Sequence, residues 1–254
     1  MIPIWIKDNT TPHPETPFYY IIAQNGIFMY KENPFWQTVV PLKGISTLKS
    51  ESPRFTFQLP KLTKQIVSSM VRFFASLSQK HDVETIVLLL WDAEKHKYAL
   101  ITPHQIVSSD TIERYEIPRF EYPIHLIGTF HSHSKYPAFH SKTDHRDESF
   151  MDGVHGTFGS FRGSTNTFTL SIQAVINNTR FDCDPMEILA GISLLSDKKS
   201  EYALLDSKRT IFPRSYIIPV TWYENVHTKK GPLYQRRTRR RPSSVPARCP
   251  RSPP

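Results

Sequence analysis

Cysteine is scarce in this chain: 254 residues hold only Cys183 and Cys249, far apart and outside any Cys-x-x-Cys pair. That excludes a disulfide scaffold, a zinc ribbon and a thiol enzyme, and it implies a reducing compartment. Long apolar runs are absent too. Nothing approaches the ~18 residues of a membrane span, and the opening Met1–Asp8 is too short and turns polar too soon for a secretory leader. The expectation is a cytoplasmic protein with no membrane association. Glycine is sparse, with nine residues, and four of them fall between Gly153 and Gly163. Met1 to Pro254 shows no internal repeat.

The glycine-rich stretch Met151–Gly163 predicts a loop or a series of tight strand turns. It has no lysine followed by Ser or Thr in the register of a phosphate-binding loop, which excludes nucleotide binding of that kind. Glycines there would let an extended peptide approach the backbone by strand addition. A bulged hairpin without a ligand fits the same residues.

The excess positive charge is concentrated in one region. The net charge is +9, yet residues 228–254 carry nine basic side chains and no acid, which leaves 23 basic against 23 acidic residues elsewhere. The body of the chain is electrically neutral. The excess belongs to an Arg-, Pro- and Ser-rich tail that cannot bury a core, so 228–254 is expected to be disordered and to contact nucleic acid or an acidic partner.

What the sequence does contain is enough apolar residue, 39%, for one sizeable core or two small ones. Residues 1–59 read as a β-rich N-terminal region: a hairpin from Phe18 to Tyr30 with a primed turn at Asn25-Gly26, then strands at Thr38–Leu42 and Arg54–Leu59. From residue 60 helices and strands mix. Leu62–Leu77 repeats Ile66, Val67, Met70, Phe73, Phe74 and Leu77 at helical spacing, and Glu84–Trp91 is a continuous apolar run typical of a buried strand. Thr167–Ile176 alternates as a strand, Asp184–Gly191 reads as a short helix with Pro at its first turn, and Tyr216–Tyr223 as a last strand.

The chemistry concentrates in residues 131–144. The alternating segment Ile124–Phe130 predicts a strand that runs into His131 and His133, and residues two apart in a strand share a face. Both imidazoles then converge, and Ser132 faces away. After a Pro-containing loop, Ser141-Lys-Thr-Asp144 has the form of a helix start, with serine at the cap and the acid held in the first turn. Two imidazoles and a carboxylate make three ligands, which in zinc sites leaves the fourth position open for water. His140, His145 and His155 are additional possible ligands, and Asp147 competes with Asp144.

His-x-His, seven residues, Ser, two residues and Asp is the signature of the JAMM (MPN-plus) metalloproteases, which this sequence resembles at all four positions. The resemblance spans about residues 60–180. It implies an α/β domain with a curved mixed sheet flanked by helices, occupying 60–227, and Zn2+ held by His131, His133 and Asp144. It also implies a glutamate base on an upstream strand, for which Glu84 is the best match. Glu94, Glu113, Glu116 and Glu121 also lie upstream. In the family the base takes a proton from water at the metal and passes it to the leaving amine, while the serine, here Ser141, donates to the developing oxyanion. The chain departs from the pattern where the family has cysteine and glycine after the glutamate, here Ile86 or Val87 and Leu88, and where it has proline after the second histidine, here Ser134. The layout also resembles bacterial Mov34/MPN/PAD-1-type proteins, including protein A of the PRTRC gene system, which join a β-rich N-terminal part to such a domain.

The expected function is that of a zinc metallopeptidase, an isopeptidase of the deubiquitinase type, cutting a peptide or isopeptide bond in a protein substrate. The resemblance makes that substrate a ubiquitin-like protein. Two other readings stand beside it: a non-catalytic scaffold or binding module on the same fold, and a nucleic-acid-associated protein acting through the basic tail.

Overall fold

The computed structural model describes residues 2–8, 10–45, 48–161, 166–197, 200–205 and 218–233. The chain divides into two compact units, Met1–Arg54 and Phe55–Pro254.

The first unit is a four-stranded sheet in the order β1 (Ile4–Ile6), β2 (Phe18–Ala23), β3 (Gly26–Asn33), β4 (Trp36–Pro41). Tyr19, Ile21 and Tyr30 are buried on one face, with Trp5, Ala23 and Phe28 packed on them. The hairpin is present, but its turn is Gln24-Asn25, because Ala23 pairs with Gly26 and Gly26 already belongs to β3. Gly26 takes φ 136°, which a side chain would resist.

In the second unit, helix α1 (Lys64–His81) is capped by the Thr63 side chain and ends at Asp82 in the left-handed conformation. It buries Val67, Met70, Val71, Phe73, Phe74 and Leu77. That apolar side forms one core with β5 (Thr85–Asp92) and with the strands beside it. After β5 come β6 (Lys97–Ile101), β7 (Gln105–Val107), β8 (Ile112–Tyr115), β9 (Ile124–Ser132), α2 (Lys142–Glu148), β10 (Gly153–Gly159), β11 (Thr167–Ile176) and β12 (Thr179–Cys183). The chain continues through α3 (Pro185–Ile188), β13 (Ile192–Ser196), β14 (Glu201–Leu204), α4 (Val220–Glu224), β15 (Val226–Thr228) and β16 (Gly231–Pro232). The large sheet runs β13-β14-β11-β10-β9-β5-β6, with β12 also on β11, and a smaller sheet runs β16-β15-β7-β8. β9 and β10 are parallel while their outer neighbours are antiparallel, so the sheet is mixed, as expected for the α/β class.

Four further expectations are corrected. Residues 54–59 form no strand; their alternation arises because Phe55 and Phe57 turn inward onto the core of the second unit between Pro53 and Pro60. The glycine-rich segment is not a loop, since Gly153–Gly159 is the central strand β10, bonded on both edges and therefore closed to strand addition. Its glycines admit close neighbours: a Cβ on Gly156 would lie 2.3 Å from the Phe130 ring. Within the expected strand 216–223, residues 220–224 are helical, with Pro219 at the cap and Trp222 buried edge-on to Phe73. Residues 216–217 lie outside the described residues. Finally, Thr228–Leu233 belong to the fold, as the end of β15, β16 and the bond from Leu233 N–H to the Val226 carbonyl. The expected disorder of 234–254 lies outside the described residues.

Candidate metal centre

Strand β9 aims the first histidine. His131 pairs in register with Ile86 of β5 on one side and Thr157 of β10 on the other, so its backbone is fixed from both edges. Phe130, its neighbour, turns the opposite way into the core, as strand alternation requires. Ser132 is fully buried, and its hydroxyl accepts the Thr85 N–H at 3.3 Å.

His133 lies one residue beyond β9, where its N–H still donates to the Phe158 carbonyl at 2.7 Å. The chain then turns sharply at Ser134, which takes φ 50°. A proline ring, locked near −65°, could not adopt that angle. The buried Ser134 hydroxyl ties the turn to α1 through Ser78 Oγ at 2.8 Å and to Asp82 Oδ1 at 3.1 Å.

The third group comes from the start of α2. Ser141 Oγ accepts the Asp144 N–H at 3.2 Å, and Asp144 Oδ2 accepts the Ser141 N–H at 2.7 Å, a reciprocal capping box. The carboxylate is thereby held at the positive end of the helix and directed at both histidines.

The resulting triangle of residues could hold one metal ion, with one ligand atom from each within 4.8 Å of the others. His131 Nε2 and His133 Nε2 are 3.2 Å apart, and each lies 3.5 Å from one of the two Asp144 oxygens. Three ligands bonded to zinc at ~2.05 Å in tetrahedral directions stand about 3.3 Å from one another. This is the one group of three His, Cys, Asp or Glu side chains, among the described residues, whose ligand atoms converge in this way. The Pro137 carbonyl accepts a hydrogen bond from the His133 ring. A bond at that ring nitrogen orients the imidazole, with Nε2 turned towards Asp144. Phe139 stands edge-on to the His133 ring at 4.6 Å.

Glu84 directly precedes β5 and is 8% exposed. Its N–H donates to the Ser108 carbonyl at 3.0 Å, which fixes the backbone at the mouth of the strand. Burial pushes its carboxyl up to about 7; the positive side of His133 opposes this, and the Asp144 and Asp110 carboxylates add to it. Burial would also raise Asp144, but hydrogen bonds from His131 and His133, the charge of His131 and the Ser141 contact hold it far below the usual carboxylate range. His133 is raised: burial works against its charged form, but the Asp144 bond, the Glu84 and Asp144 charges and Pro137 outweigh it.

Glu84, His131, His133, Ser141 and Asp144 all line one cleft of about 280 Å³. Glu94, Glu113, Glu116 and Glu121 do not line it; Glu113 pairs with Lys229 and Glu116 with Arg114. His155 is no ligand, since its Nε2 donates to the Met151 carbonyl at 3.0 Å and its Nδ1 accepts the Thr129 hydroxyl at 2.9 Å. His140 is committed to Glu148 at 3.0 Å, and Asp147 lines the cleft from an exposed position outside the triangle.

Several contributing residues carry no sequence signal. Gln105 is fully buried and matches the Ile86 backbone twice, its Nε2 donating to the carbonyl and its Oε1 accepting the N–H, both at 2.9 Å. It thereby secures the strand opposite His131. Tyr115 also lines the cleft, and burial first, then the Asp147, Glu148 and Asp144 charges, push its phenol up.

No curated protein matches the chain. Among solved structures, a protein from Salinibacter ruber is 18% identical, over 48% of this chain and 88% of that one, with a TM-score of 0.30. Residues 67–171, which hold most of α1, the Glu84 strand, both histidines and Asp144, match the family of prokaryotic homologs of the JAB domain, and over that stretch the match supports an MPN-type domain.

Proposed function

We propose that this protein is a zinc-dependent hydrolase of the JAMM type, cleaving a peptide or isopeptide bond in a protein substrate. The observation that carries the reading is the convergence of His131, His133 and Asp144, with the two Nε2 atoms 3.2 Å apart and each 3.5 Å from a different Asp144 oxygen, opening on the same cleft as Glu84 and Ser141. Those three residues would hold the metal, and the donor set of two imidazole nitrogens and a carboxylate suits zinc. When bound, zinc supplies Lewis acidity, which acidifies water and polarises a scissile carbonyl.

The protein's own groups account for proton handling and charge. Glu84, buried where it lines the same cleft, holds its proton near neutrality in the metal-free protein, and a carboxyl so placed would accept a proton from attacking water and return it to a departing amine. Ser141 Oγ accepts one backbone bond from Asp144, and its hydroxyl hydrogen remains available to donate to an oxyanion. One such donor is worth roughly 3 kcal/mol of barrier. Asp144, held ionised, keeps its oxygens available as ligands.

The substrate class follows from the resemblance: a ubiquitin-like protein or fold relative, cut at its C-terminal tail in the cytoplasm. The basic tail, 228–254, is assigned to contact with nucleic acid or an acidic partner, and the domain 60–227 to catalysis.

The test is metal analysis of purified protein beside His131→Ala and Asp144→Ala, with hydrolysis of a ubiquitin-like fusion as readout. One zinc per chain, lost in both variants together with hydrolysis, is expected. Zinc retained in both variants would remove the ligand assignment. Zinc lost without any hydrolysis by the parent protein would favour a binding module.

A further inference from the structure

Helix α2, which carries Asp144, has no apolar anchor. It spans seven residues, and its one buried residue is a carboxylate, Glu148. A helix this short takes its stability from tertiary packing, so what Glu148 touches decides where the helix sits.

Glu148 reaches both ends of the helix. Its Oε1 accepts from Nδ1 of His140, the residue just before the Ser141 cap, at 3.0 Å. Its Oε2 accepts from Nη1 of Arg180 at 2.6 Å. Arg180 then donates through Nη2 to the His145 carbonyl at 2.6 Å, and through Nη1 to Gln173 Oε1 at 3.2 Å. The arginine is itself anchored, because β12 pairs with β11 from Ile172 and Cys183 to Ile176 and Thr179. Asp144 lies one turn before Glu148, on the same side of the helix.

A buried leucine would dock the helix at lower desolvation cost. A carboxylate bonded through one oxygen to His140 ahead of the helix and through the other to Arg180 on β12 adds direction: it constrains the roll of the helix about its axis as well as its distance from the sheet. Metal ligands need that, since productive bond lengths tolerate only about ±0.2 Å.

Resting on the zinc reading above, we propose that Glu148 and Arg180 are positioning residues for the metal centre: their ion pair clamps α2 to the sheet and so aims Asp144 at the metal. Neither residue needs to touch the ion.

The test uses the full chain and two readouts other than activity: zinc affinity by competition with a chromophoric chelator, and the visible spectrum after cobalt substitution, which reports coordination geometry. Glu148→Gln and Arg180→Met should each weaken zinc binding by roughly 10- to 100-fold and alter the cobalt bands. The double variant should be no more than about threefold weaker than the worse single, because both changes remove one clamp. Arg180→Lys, which cannot reach Glu148 and the His145 carbonyl together, should fall between, and Arg146→Gln on the exposed side should match the parent. Folded Glu148→Gln and Arg180→Met proteins with parental affinity and spectrum would overturn the proposal. If those two do not fold, parental affinity in Arg180→Lys overturns it. A parent protein that binds no zinc removes the zinc reading and this inference together, whereas zinc binding that is equal in parent and variants removes only the clamp.

Discussion

Ser141 and Asp144 hold each other twice, the hydroxyl taking the Asp144 N–H at 3.2 Å and the carboxylate taking the Ser141 N–H at 2.7 Å. The two halves of this exchange separate in a mutant. Ser141→Ala removes the hydroxyl but keeps the backbone N–H that aims Asp144, so zinc should be retained. The lost cap should cost about 1 kcal/mol of stability, and the lost donor should lower kcat by roughly 10²- to 10³-fold. Ser141→Thr should restore most of both. Loss of zinc in Ser141→Ala, measured by metal analysis, would show that the hydroxyl is needed to aim the ligand.

Glu84 ties the proposed chemistry to stability. In metal-free protein its carboxyl is pushed up to about 7 against an ordinary 4.5, chiefly by burial. A folded value above the unfolded one means the native state binds the proton more tightly. Below about pH 4.5 the group is protonated in both states and costs nothing; as pH rises to 7 the penalty grows, reaching at most about 3 kcal/mol above that. In a chelator, Glu84→Gln should therefore be more stable than the parent by about 1–3 kcal/mol at pH 8, with the gain shrinking towards pH 4.5; without chelator the variant should keep zinc and lose hydrolysis. Urea titrations at pH 5 and pH 8 showing the same difference would contradict this account.

The sequence made the site more legible than its support. His131 and His133 could be read because strand alternation and a fixed spacing are local, and Ser141 and Asp144 because capping is a four-residue pattern. The glycines misled: as punctuation they signal turns, whereas Gly153 and Gly156 sit in β10 so that Ile127, Gly128 and Phe130 can approach closely. Residues 54–59 misled by alternation without pairing, and 220–224 because Val, Trp and Tyr favour strands until Trp222 finds Phe73. Glu148 and Arg180 gave no signal, being 32 residues apart and joined only by the fold.

Gly156 offers a test of that packing. It pairs with Phe130 across β9 and β10, and an added Cβ would lie 2.3 Å from two atoms of a ring that is fully buried. The ring cannot swing clear, because Phe158 is 6.0 Å away within the same core. Gly156→Ala should cost about 1–3 kcal/mol in urea unfolding. Phe130→Leu in that background should recover part of the loss, although alone it should destabilise. A neutral Gly156→Ala would mean that the strand spacing is looser than described.

Glu148 gives the acid limb of stability its own signature. Burial alone would raise its carboxyl, but the His140 bond, the His140 charge and Arg180 outweigh burial and hold it below its ordinary 4.5. A folded value below the unfolded one contributes stability that is fully present above about pH 4.5 and is lost as pH falls through the folded value. The opposite sign to Glu84 makes the two carboxyls separable by pH alone. Glu148→Gln should be less stable than the parent at pH 6 to 8 by about 3 kcal/mol, the cost of breaking a buried pair and leaving Arg180 and His140 uncompensated. That deficit should narrow below pH 4, where the parent loses the same charge. Unfolding followed by circular dichroism from pH 3 to pH 8 measures both limbs, and a deficit independent of pH would assign Glu148 a packing role without the ion pair.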